Sequence, residues 1–138
     1  MEHIVIQDPK QTYSDIRNLD VLCRCRSTKH PPYDRVNAGD VIYVQHKGGA
    51  IEVKYTVSSA VSTPYNEVGE IRKLCEGTTL YEATQFWQAQ QNRLYGTVVW
   101  LADPRGISPP ITRRVTRGDA NDWIVLDKES KRRQWPGL

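Results

Sequence analysis

The chain has 138 residues, the length of one ordinary domain with room for a buried core. Its 38% hydrophobic and 25% charged residues suit a soluble globular chain, and no apolar run approaches the roughly eighteen residues that a membrane span needs. The N-terminus MEHIVIQDPK, with Glu2, Asp8 and Pro9 close by, does not read as a secretion signal, so a cytoplasmic location is expected. Net charge is only +3 but uneven. Arg24, Arg26, Lys29 and Arg35 form one basic block, Arg105, Arg113, Arg114 and Arg117 a second, and Lys128, Lys131, Arg132 and Arg133 a third, around an acidic middle of Glu67, Glu70, Glu76 and Glu82. Such asymmetry suits a polyanionic partner, although solvated surfaces show it too.

In chain order, a first strand is expected at 3–7, one helical turn at 13–18 starting at Ser14, and a second strand at 20–26. In that strand Val21, Cys23 and Cys25 share one face and Leu22, Arg24 and Arg26 the other. The cysteine face fits the core, with its thiols reduced. The arginines then project together toward solvent, as the wet side of a sheet, or toward a ligand, since guanidinium groups grip phosphate and stack on bases. VIYVQ at 41–45, the turn HKGGA and the alternating run 51–61 make a β-hairpin over 40–62. A short helix is expected over 67–75, capped by Asn66 and ended by Gly77. A second is expected over 80–91, opened by a capping box of Thr79 and Glu82. Strands at 96–102 and 122–126 follow, and 128–138 reads as a basic tail.

Strands and helices do not alternate regularly, which argues against a doubly wound parallel sheet. The expected class is α+β: a small mixed, mostly antiparallel β-barrel with two or three short helices packed outside. Residues 1–127 form a single domain, followed by the tail. Nothing pairs with His3, His30 or His46 at metal-ligand spacing, so no metal and no cofactor are expected.

RCRSTKHPPYDRVNAGDVIYV, KGGAIEVKYTV, FWQAQQNRLYGTVVWL and the closing WIVL together resemble proteins of the ASCH group within the PUA-like superfamily. The resemblance spans roughly residues 17–126. It implies a pseudo-barrel that binds RNA or modified bases in a cleft beside it, and some ASCH members are hydrolases or ribonucleases. The family's signature is Gly-x-Lys-x-x-Glu-x-Arg. Alignment on Pro32 and Tyr33 puts Leu19 at its lysine, Leu22 at its glutamate and Arg24 at its arginine. A shift by two residues puts Arg24 at the glutamate and Arg26 at the arginine. Either way the acid is missing, and with it an evident general base. Asp119 and Asp122 are the nearest carboxylates in the last loop.

The expectation is therefore a nucleic-acid-binding module for RNA, ahead of DNA, or for a modified nucleotide. Arg24, Arg26, Lys29, Arg93, Arg113, Arg114 and Arg117 would contact phosphate, and Tyr95 or Trp123 would stack on a base. The alternative is a small hydrolase or ribonuclease using Lys29, His30 and Tyr95 for acid-base work. A third reading is a protein-binding module whose tail meets an acidic partner. Oligomeric state is not encoded in these patterns.

Overall fold

The computed structural model describes residues 1–8, 15–112 and 122–138. Six strands form one mixed sheet: β1 (Glu2–Gln7), β2 (Val21–Arg26), β3 (Val41–His46), β4 (Ile51–Pro64), β5 (Tyr95–Ile111) and β6 (Trp123–Val125). Their spatial order is β2-β5-β4-β3-β1-β6. Only β1 and β3 run parallel; the other pairings are antiparallel. The architecture is thus the expected α+β, mostly antiparallel, barrel-like sheet with short helices outside.

The sheet curls because its long central strands are irregular. The pairing of β4 with β5 shifts register between Ile51 and Val53, Lys54 and Thr56, and Val57 and Ser59. Each such irregularity adds local bend and twist. The curl brings the edges β2 and β6 toward each other, and Arg24 and Arg26 of β2 both reach Asp122, just before β6; Arg24 Nη2 also donates to the Ile6 carbonyl of β1.

Val5, Leu22, Ile42, Val53, Tyr55, Val99, Trp123 and Val125 fill the interior of the curl. The Tyr55 hydroxyl donates to the Ile16 carbonyl and accepts from Leu19 N–H, which ties the 3-10 turn Ile16–Asn18 across that interior. Asp15 caps this turn, and residues 13 and 14 of the expected one lie outside the described set. Helices α1 (Val68–Leu74) and α2 (Thr84–Ala89) cover the outer face of β2 and β5. Ile71, Cys75, Leu80 and Trp87 pack there on Val21, Cys23, Cys25 and Val98. Gly96 permits this approach, since a Cβ at that position would lie 2.7 Å from Ile71 Cδ1. The three cysteines are free and buried.

Two helix boundaries differ from expectation. In α1 the cap is Glu67 instead of Asn66, and Glu70 Oε2 accepts from the N–H groups of both Asn66 and Glu67. The second helix begins at Thr84, not Leu80. Thr79 does not cap it, because its N–H and hydroxyl donate to the Asp20 carboxylate at 3.0 and 2.7 Å. Asp20 has taken the backbone N–H that Glu82 would accept in a capping box.

The C-terminal segment is not a tail. Helix α3 (Glu129–Arg132) leads to Trp135, which is 1% exposed and packs with Ile4, Tyr43, Ile51, Ile111, Ile124 and Leu126 on the outer face of β1, β3 and β6. Basic residues dominate the segment's composition, while one tryptophan supplies its anchor. Arg132 pairs with Glu2, and Lys131 with Asp127. No helix among the described residues is long and apolar enough to cross a membrane.

Candidate nucleic-acid interface at the sheet seam

The inward face of β2 carries Leu22, Arg24 and Arg26. Its antiparallel partner β5 sets Thr97 opposite Arg24 and Tyr95 opposite Arg26. Apolar packing therefore ends at Leu22 and Val99, and the interior turns polar toward one end. Ser62 and Thr97 hydroxyls meet there at 3.2 Å, and Gln7 enters from β1.

The two arginines converge on Asp122, just before β6. Arg24 Nε lies 2.8 Å from Asp122 Oδ2, and Arg26 Nη2 lies 2.5 Å from Oδ1. The Arg24 contact is ionic and not a directed hydrogen bond, since among the described residues its buried Nε–H has no acceptor in line. The rest of that guanidinium donates to Cys23 O at 3.1 Å, Ile6 O at 3.3 Å and Gln7 Oε1 at 2.5 Å. Arg24 is only 10% exposed, whereas Asp122 keeps 38%. Burial works to raise the Asp122 pKa, but the charges of Arg24 and Arg26 outweigh it and hold the carboxyl below its ordinary value.

This geometry corrects the picture of a free arginine face. The cysteine side is core, as expected, but the opposite side is not open either: the pair points into the curl and is engaged with Asp122. It also brings a carboxylate to the arginines, from a residue 96 positions beyond Arg26. A carboxylate held ionised by two guanidiniums is a poor proton acceptor, so its presence does not restore a general base.

At the rim, Arg26 Nε donates to Pro31 O at 3.3 Å, which fixes the loop that follows β2. That loop places Lys29 Nζ 5.7 Å from the Tyr95 ring centroid. The same ring meets Tyr33 edge-to-face at 5.2 Å. Arg93, exposed on the approach to β5, donates to Ser27 Oγ at 3.2 Å. Arg26, Lys29, Arg93 and Tyr95 are thus brought together. His30 is exposed on the same loop. Arg113, Arg114 and Arg117 lie outside the described residues.

Trp123 is not a stacking surface. It is 2% exposed and its Nε1–H donates to His3 Nδ1 at 3.2 Å. Indole nitrogen only donates, so His3 Nδ1 is the acceptor and its Nε2 carries the proton. Nε2 donates in turn to Asp40 Oδ2 at 2.9 Å, which also accepts from Asn37 N–H at 3.0 Å. Burial pushes the His3 pKa down against the opposing pull of Asp40. Arg24 sits 5.8 Å from the Trp123 ring centroid, so this buried chain supports the residues around the seam. No short-range pattern links His3, Asp40 and Trp123: in the sequence His3 stands out only as a histidine without metal-ligand spacing, and Asp40 not at all. Among the described residues no group of three His, Cys, Asp or Glu is placed to hold a metal ion.

Comparison with solved structures agrees with the architecture. A Ser-to-Ala variant of the ASCH protein from Zymomonas mobilis superposes with a TM-score of 0.65 at 15% identity, covering 96% of this chain and 92% of that one. The unsubstituted protein gives 0.54 at 14% identity, over 80% of this chain and 70% of that one. A Tyr-to-Phe variant gives 0.53 at 14%, over 80% and 73%. No protein-family model matches the sequence, and no curated protein matches it. The fold is that of an ASCH domain.

Proposed function

We propose that this ASCH-fold chain is a binding module for single-stranded RNA or a modified nucleotide, gripped at the rim where β2 and β5 end. The supporting observation is the pairing of Lys29 with the Tyr95 ring at 5.7 Å, beside Arg26 on the neighbouring strand. Recognition of unpaired RNA combines an aromatic platform for a base with cations for the backbone. Tyr95 is the platform, with Tyr33 packed edge-to-face against it. Lys29 covers it in the free protein and moves to phosphate when a base takes its place. Arg93 extends the cationic rim, and Arg113, Arg114 and Arg117 add positive charge to the chain just before Asp122.

The test is a fluorescence anisotropy titration with labelled single-stranded RNA and DNA at several salt concentrations. The expected result is RNA binding whose log affinity falls with log salt by about 0.7 per phosphate contacted. No binding of either oligonucleotide at about 50 mM salt overturns the reading.

A further inference from the structure

The seam geometry points to a site for a terminal phosphomonoester, occupied in the free protein by the carboxylate of Asp122. Three observations carry this. First, two guanidiniums converge on one carboxylate, so among these three groups one positive charge is left over. Second, Arg24 is nine-tenths buried, yet among the described residues its Nε–H has no aligned acceptor, and Asp122 Oδ2 serves Nε only ionically. Third, Asp122 is the most exposed of the three and can turn out to water, whereas Arg24 is held by Gln7, Ile6 and Cys23.

A phosphodiester put in place of Asp122 has a single charge and leaves the same excess. A phosphomonoester carries about −1.5 to −2 at neutral pH and offers three terminal oxygens. It answers both guanidiniums and offers an aligned acceptor to Arg24 Nε. The site adjoins Tyr95, the cross-strand neighbour of Arg26, so the ligand is a nucleotide or RNA end with its phosphate in the seam and its base on that ring. The inference rests on the proposed binding rim for its base, but not for its phosphate.

The experiment compares short single-stranded RNAs of one sequence ending in a phosphate or a hydroxyl, at each end in turn, together with adenosine monophosphate. One phosphate-ended RNA is expected to bind about tenfold tighter than its hydroxyl-ended counterpart, as charge-assisted bidentate contacts allow. Arg26→Gln abolishes that preference, and Asp122→Asn, which removes the resident anion, enlarges it. Equal binding of phosphate- and hydroxyl-ended RNA overturns this inference and leaves the binding rim standing. Failure of every RNA, with Arg26-dependent thermal stabilisation by the monophosphate, overturns RNA binding and upholds the phosphate site. No response to any ligand overturns both. Because Asp122→Asn disturbs the seam itself, the Arg26→Gln comparison is decisive if that variant fails to fold.

Discussion

Arg26 and Asp122, 96 residues apart in sequence, meet at 2.5 Å and join the two edges of a sheet that backbone hydrogen bonds leave open. Asp122→Ala would strand Arg24, which is mostly buried, without its counter-charge. Loss of one partner of a fully buried pair costs about 3–5 kcal/mol, and the exposure of Asp122 reduces this through solvent screening. The expected loss is about 2 kcal/mol, read from the urea midpoint at unchanged slope. An unchanged midpoint would mean that the seam does not depend on this pair.

Stability should fall on mild acidification because of His3. Its folded pKa lies below the ordinary value of 6.5, with burial as the leading cause. A depressed pKa means that the unfolded chain binds the proton more readily, so this stabilisation is complete above pH 6.5 and fades as pH drops toward the folded value. Protonation would also set an N–H of His3 against the Trp123 N–H. Urea unfolding at pH 7.5, 6.5 and 5.5 should show the decline in the native chain and a flatter profile in His3→Gln. Parallel profiles would remove His3 as its source.

The C-terminal segment should behave as part of the fold. Trp135→Ala empties a site 1% exposed, and losses of about 3–5 kcal/mol are typical for such truncations. Deletion of 128–138 should likewise lower the thermal midpoint, because it uncovers Ile4, Ile124 and Leu126. Calorimetry on the deletion variant checks this; a midpoint equal to the full chain's would return the segment to the status of a tail.

Gly96→Ala should cost about 1–3 kcal/mol by overpacking, since the new Cβ meets Ile71 at 2.7 Å. Ile71→Val should recover part of that loss in the double variant. Additive effects of the two substitutions in urea unfolding would show that α1 does not rest on β5 at this point.

Much of the sheet was legible because alternation is a local signal. The hairpin around Gly48 and the cysteine side of β2 follow from period-two reading and from a turn that needs positive φ. Features set by distant partners were not legible. Thr79 resembles a helix cap until Asp20 takes its donors. Arg24 and Arg26 look like a solvent face until Asp122 reaches them from the far edge of the sheet. His3 and Asp40 have no spacing that marks them as partners of Trp123. Lys29 and Tyr95 were both identified as candidates, but their proximity depends on the loop held by Arg26 at Pro31 O.

The most direct test of the central claim compares wild type, Tyr95→Phe and Tyr95→Ala in anisotropy titrations with the same single-stranded RNA. Truncating a stacking aromatic costs about 1–3 kcal/mol per base. Near-native affinity is expected for Tyr95→Phe and a loss of roughly five- to a hundredfold for Tyr95→Ala, with thermal midpoints confirming that both variants are folded. RNA binding by a folded Tyr95→Ala protein as tight as by wild type would contradict the claim.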